Sequence, residues 1–265
     1  MNYVTNVTQS LVTNWEFTRA MSARDLKTVN RGSIVGLGWL IMRPLVQVSA
    51  YVVIVSYLFG ARLGPDSGPF DYALHVLSGL ISWQMVQRSL EEGTSLARDR
   101  MEILKQVIYP IETLPVSALL TSLPAPAVSL VLYLLLSMVG GKLSLSVVAL
   151  PIPLLLLAMF LVGCSWILMI VGVVFKDLRE VLGMLLGLLV YFSPVLASES
   201  MVGPAMWRLI LIFNPLSHIV ICFRDVLQGE FHFLSWIAFC AMAALAFCAG
   251  AWTVTRAKVY INEYL

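Results

Sequence analysis

The sequence predicts an all-α polytopic membrane protein, and three observations predict it. Of its 265 residues 59% are hydrophobic and only 12% charged, where soluble domains average about 25% charged. The mean hydropathy is +0.87. Apolar runs able to cross a hydrocarbon core of ~30 Å at ~1.5 Å per helical residue recur along the chain. The polar stretches between them also differ in basic content: one side would hold twelve Lys/Arg and the other only Arg62, Lys142, Arg208 and Arg224. The basic side faces the cytoplasm, so both termini are expected there.

A net charge of +2 with no basic stripe among aromatics gives no reason to expect nucleic acid. Cys164, Cys222, Cys240 and Cys248 sit singly in apolar surroundings without Cys/His ligand spacing, so free thiols and no metal are expected. Residues 1–33 lack the apolar core and cleavage site of a signal peptide, so the protein should insert by its own spans.

Residues 1–33 carry Arg19, Arg24, Lys27 and Arg31 among Trp15, Phe17, Met21 and Leu26. That mixture predicts a cytoplasmic amphipathic helix lying at the membrane interface. Residues 34–265 form one six-span domain. Span one, about 34–59, contains Arg43-Pro44, a charge and a kink that must face protein or water. A turn-rich loop, GARLGPDSGP, leads to span two, about 70–90, with His75, Gln84 and Gln87.

The polar segment 91–115, EEGTSLARDRMEILKQVIYPIETLP, separates spans two and three. Leu96, Met101, Leu104 and Ile108 recur in it at helical spacing among charges. This predicts a short amphipathic helix that lies on the membrane or docks into a soluble partner. Span three, about 116–139, is interrupted by Pro124 and Pro126. Span four covers about 147–175, and the charged turn Lys176–Glu180 leads to span five, about 181–197, where Gly183 and Gly187 have the spacing of close helix packing. Residues 198–232, broken by Pro204, Asn214-Pro215 and Gly229, have no piece long enough to span. Two half-helices, about 203–213 and 216–227, fit an outward-facing re-entrant element in which Arg224 and Asp225 form a local charge arrangement. Span six, about 233–255, completes the domain.

No GxSxG, HExxH or Walker A motif is present, and His75, His218 and His232 are scattered, so catalysis is not expected. Without a P-loop the chain cannot hold ATP in that manner by itself. Secondary transport competes with this reading, since carriers place ionisable groups at the midplane of broken helices, although the acidic residues here lie almost wholly at span ends. Aromatic residues are abundant, and interfacial belts account for most of them.

Four stretches, in order, resemble the permease of ABC-type polysaccharide exporters. They are ARDLKTVNRGSIVGLGWLIMRPLVQ (23–47), LARDRMEILKQVIYPIETLP (96–115), FKDLREVLGMLLGLLVYFSPV (175–195) and NPLSHIVICFRDVL (214–227). The resemblance covers nearly the whole chain, and departs at Thr28-Val29-Asn30, where family members often carry an Arg-Tyr-type pair. It implies a permease homodimer in a bacterial inner or plasma membrane, joined to two ATPase subunits that bind ATP and Mg, while this chain holds no cofactor. The substrate would be lipid-linked O antigen, capsule or teichoic acid. Arg98, Asp99, Arg100, Met101, Glu102, Leu104 and Lys105 would form the helix seated in the ATPase. Tyr51, Tyr57, Tyr191 and Phe192 are glycan-path candidates, and Arg19, Arg24, Lys27 and Arg31 would meet the lipid headgroup. Asn214, Pro215, Arg224 and Asp225 mark the re-entrant element. Export of a drug or another lipid by a related ABC permease, and an ion-coupled carrier or channel without ATPase, remain alternatives.

Overall fold

The computed structural model describes residues 3–28, 38–54, 63, 68–100 and 110–264, and among these the regular secondary structure is all helical. The N-terminal segment forms two helices, α1 (Tyr3–Thr13) and α2 (Trp15–Thr28), rather than one. They meet at Asn14, through which the helical hydrogen bonds continue, from Asn14 N to Ser10 O and from Thr18 N to Asn14 O. The face of α2 that turns inward is small and polar, with Thr18 and Ser22 buried, while Trp15 and Phe17 are exposed.

α3 (Trp39–Val52) covers the described part of span one, and the long α4 (Pro69–Gly93) follows. Gly68 and Pro69 start α4: the Gly68 N–H donates to Asp71 Oδ2 at 3.2 Å, and proline is preset for a first helical position. Sixteen of its 25 residues are buried. It touches α3, α9 and α12 and also α6, α7 and α8, whose bounds follow. This enclosure explains its composition. A helix surrounded by protein can carry His75, Gln84, Gln87 and several serines, because neighbours rather than lipid meet them.

Beyond α4 a four-residue helix, α5 (Leu96–Asp99), opens the polar segment. A 3-10 turn at Ile111–Thr113 leads into α6 (Leu114–Ser122) and α7 (Pro124–Val139), broken at Leu123 where Pro124 starts the second helix. After a second 3-10 turn at Leu145–Ala149 come α8 (Pro151–Val174) and α9 (Leu178–Leu189). One turn, α10 (Glu199–Val202), precedes α11 (Pro204–Phe213) and α12 (Leu216–Gln228), which are bent by 114° at Asn214-Pro215. The final helix is α13 (Phe233–Tyr264), longer than the expected 233–255.

Among the described residues, three helical stretches are long and apolar enough to cross a membrane: Ile111–Val139, Pro151–Val174 and Phe233–Ala257. A fourth is added if α11 and α12 count as one bent span. These three correspond to expected spans three, four and six. Expected span two coincides with α4, which is not among these stretches. Span five is represented by a helix of only 12 residues, α9, after which the chain leaves helical geometry for residues 190–197.

α8 and α13 make the most extensive helix pair. A Cβ on Gly163 would strike the backbone of Ala246, and one on Gly250 would strike Gly163. Two axes this close require glycine on both sides. The pair expected from sequence, Gly183 and Gly187, behaves otherwise: a Cβ on Gly183 would meet the Glu91 carboxylate at 3.4 Å, and Gly187 has nothing within 4 Å among the described residues. All four cysteines are free thiols.

Candidate functional site

At one end of the bundle the start of the polar segment is fastened on two sides. Ser95 donates to Asp99 Oδ2 at 2.7 Å, closing the single turn of α5. Arg98 Nη1 donates to the carbonyl of Lys176, in the turn between α8 and α9, at 3.0 Å. Arg100 reaches the opposite way, its Nη2 lying 2.5 Å from Asp25 Oδ2 on α2 while its Nη1 points at Met21 Sδ. The N-terminal helices continue this contact: Ser22 donates to the Ser117 carbonyl at 3.3 Å, and Ser10 hydrogen-bonds the Glu112 carboxylate. The indole of Trp166 donates to the Glu112 carbonyl at 3.0 Å. The segment, the α8–α9 turn and the N-terminal helices are therefore one polar assembly. Met101, Glu102, Leu104 and Lys105 lie outside the described residues.

Arg19 and Arg24 are exposed on α2. Arg31, and the side chain of Lys27, lie outside the described residues.

Within the bundle, Tyr51 and Tyr191 come together edge to face, their ring centroids 6.4 Å apart at 85°. Tyr191 and Phe192 are exposed at 58% and 67%. Tyr57 lies outside the described residues. Beside this pair a polar chain crosses three helices: Ser129 donates to Gln84 Oε1 at 2.9 Å, and Gln84 Nε2 to Gln47 Oε1 at 3.4 Å.

The unwound residues 190–197 hold the candidate aromatics in place, and side chains satisfy their carbonyls. Asn214 Nδ2 donates to Phe192 O at 3.2 Å, Arg224 Nη2 to Pro194 O at 2.6 Å, Tyr72 to Leu196 O at 3.1 Å, and His75 Nε2 to Ala197 O at 3.2 Å. Backbone that has left a helix inside a membrane protein needs such donors, since hydrocarbon supplies none. Asn214 sits at the bend between α11 and α12, next to Pro215, so the bent pair and the end of α9 are tied at that point. Only Pro194 announced this arrangement in the sequence. Its four donors come from α4, α12 and the bend.

Arg224 and Asp225, adjacent on α12 and lining one cavity, take different hydrogen-bond partners. Arg224 turns to α4 and residues 190–197, bonding also His75 O at 3.3 Å and Ser78 Oγ at 3.4 Å. Asp225 turns to α13, accepting from the His232 backbone N–H at 2.8 Å, His232 Nδ1 at 2.6 Å and the Trp236 indole at 2.9 Å.

A chain built of long apolar helices, with its irregular backbone satisfied by buried side chains, is an integral membrane protein. This chain belongs to the ABC-2 type transporter family, whose membrane-domain model matches residues 16–228. It is 30% identical over 205 residues to an O-antigen export system permease protein RfbA of Myxococcus xanthus, covering 77% of this chain and 76% of that one. It is 24% identical over 214 residues to an RfbA of Klebsiella pneumoniae, 78% of each chain. With the polysialic acid transport protein KpsM of Escherichia coli it shares 25% over 211 residues, 79% of this chain and 80% of that one.

Proposed function

We propose that this chain is the transmembrane subunit of an ATP-driven ABC exporter that moves a lipid-linked polysaccharide, of the O-antigen or capsule kind, across the bacterial inner membrane. The observation that carries this reading is the family match over residues 16–228, which takes in α5, the bent pair and residues 190–197 together. The relatives named for O-antigen export and polysialic acid transport favour a glycan over a drug and an ATPase-driven permease over an ion-coupled carrier. The chain is a permease and not an enzyme: ATP and Mg act in a separate subunit.

In this reading the end of the bundle that carries α5 is cytoplasmic, as are both termini. Six membrane crossings complete the domain, with α3 in the first, α4 in the second, α9 in the fifth, and α11–α12 entering from the outside as a re-entrant pair. The segment around residues 98–106 seats in the ATPase. α2 lies at the headgroups, with Trp15 and Phe17 towards lipid and Arg19 and Arg24 towards phosphate. A second copy of the chain completes the passage, and the exposed face of α9 around Gly187 offers a surface for close helix packing. Tyr51, Tyr191 and Phe192 present ring faces to the glycan.

The test is affinity purification of this chain co-expressed with its genomic neighbours. A Walker-motif ATPase is expected to come with it, two copies to two permeases, and its hydrolysis to rise with a lipid-linked glycan. A chain that purifies alone from mild detergent, and whose deletion leaves surface polysaccharide unchanged, would overturn the reading.

A further inference from the structure

At the end of the bundle opposite α5, a polar cavity of about 410 Å³ is lined by residues that include His75, Glu199, Trp207, Gln228, Glu230 and His232. Arg224 and Asp225 also line it. The Arg224 guanidinium is engaged by the carbonyl oxygens of His75 and Pro194. Against that single positive charge, which acts on Asp225 and Glu230, three carboxylates, Glu199, Asp225 and Glu230, leave the cavity negative on balance. Such a lining repels phosphate and carboxylate ligands and selects a cation.

We propose that Asp225, Glu230 and His232 form a divalent-cation site. One carboxylate oxygen from Asp225, one from Glu230 and a ring nitrogen of His232 lie within 4.8 Å of one another. The backbone brings them there. Gly229 has φ +82°, the left-handed geometry that glycine accepts, and the N–H groups of Gly229 and Glu230 both bond the Asp225 carbonyl. The chain therefore folds back over the end of α12, returning Glu230 and His232 to Asp225.

Asp225 is held as a ligand needs to be held. It is 2% exposed, and its Oδ2 accepts from the His232 backbone N–H and the Trp236 indole, which fixes the plane of the carboxylate. Its Oδ1 faces His232 Nδ1 at 2.6 Å. A cation takes the place of the proton between these two atoms once they part to about 3 Å, as two ligands at ~2.0–2.2 Å require, and the imidazole keeps its hydrogen on Nε2. Glu230, exposed, has the freedom to swing in as the third ligand at ~2.0–2.2 Å, with cavity water completing the shell. Two carboxylates with an imidazole suit Zn²⁺ or Mn²⁺ better than Ca²⁺. Bound there, the ion clasps the end of α12 to the start of α13 and so fixes the corner that carries the bent pair.

The experiment uses the full chain in detergent, stripped with a chelator, then given Zn²⁺ and passed through gel filtration. One zinc per chain is expected by elemental analysis, with a rise in the thermal unfolding midpoint. Glu230→Gln and His232→Ala are each expected to lose the retained zinc and the rise in midpoint. Glu230 is exposed, so the metal-free midpoint of Glu230→Gln should equal that of the wild type, separating lost ligation from misfolding. No saturable zinc in the wild type overturns the proposal. So does zinc retained equally by both variants, which would place the ion on thiols such as exposed Cys240 and Cys248. The readout is binding and stability, and does not depend on transport.

Discussion

Asp25 and Arg100 stand 75 positions apart in the chain and 2.5 Å apart in space. The pair joins α2 to the segment assigned to the ATPase, while Arg98 joins the same segment to the turn before α9. Partly exposed ion pairs contribute roughly 0.2–1 kcal/mol, so its loss leaves the protein folded. Its effect should therefore fall on transport. Arg100→Asp is expected to lower polysaccharide export about tenfold, the scale of a coupling worth 1–2 kcal/mol. The exchange Asp25→Arg with Arg100→Asp should restore most of it. Surface polysaccharide measured against membrane-inserted permease checks this, and a double variant no better than the single one refutes the link. Reversal of Arg98, Arg100 and Lys105 together should abolish export with insertion intact.

Arg224 answers to stability. It is 6% exposed and supplies donors to the carbonyls of His75 and Pro194. Arg224→Met should leave the Pro194 carbonyl unpaired at about 1–3 kcal/mol, lowering the unfolding midpoint in detergent, while the His75 carbonyl keeps the Ser78 hydroxyl at 2.7 Å. Arg224→Lys should recover only part of the loss, since one ammonium cannot reproduce the planar fork.

The two glycine pairs make opposite predictions. Gly163→Val forces α8 away from Ala246 and should cost about 1–3 kcal/mol or more, with poor accumulation in the membrane. Gly187→Val meets open space in a single chain. It should leave the isolated chain as stable as the wild type and weaken the dimer, read by cross-linking or sedimentation.

The aromatic pair is tested by Tyr51→Ala and Tyr191→Ala. Each should slow export; Tyr191→Ala should leave the amount of inserted protein little changed, because Tyr191 is largely exposed, whereas half-buried Tyr51 also packs against the core. Export at wild-type rate in both variants would remove these rings from the glycan path.

Periodicity and hydropathy made the helices legible where lipid or a continuous apolar core sets the rule, as in Pro151–Val174 and Phe233–Ala257. Pro204 and Asn214-Pro215 placed the bent pair within a residue or two, since proline marks breaks locally. Residues 190–197 were read as the end of a span because Val190, Val195 and Leu196 are apolar. Nothing local shows that Tyr72, His75, Asn214 and Arg224 supply the donors that let the helix stop at Leu189. Asp25 was missed for the same reason: its partner is 75 residues away, and charge pairs carry no period. Arg224 and Asp225 are neighbours in sequence, and nothing local shows that their hydrogen-bond partners lie on different helices.

α4 is wrapped by six other helices of its own chain, so scarcely any of its surface is left for lipid. A close-packed element changes position only together with its neighbours. A push received at residues 94–100 therefore cannot tilt α4 as a lone lever. It must shift α4 with its jacket as one body, and relative sliding is left to the outer surfaces where α3 and α9 end. The chain is built like a piston in its sleeve, and the working clearance lies outside the sleeve.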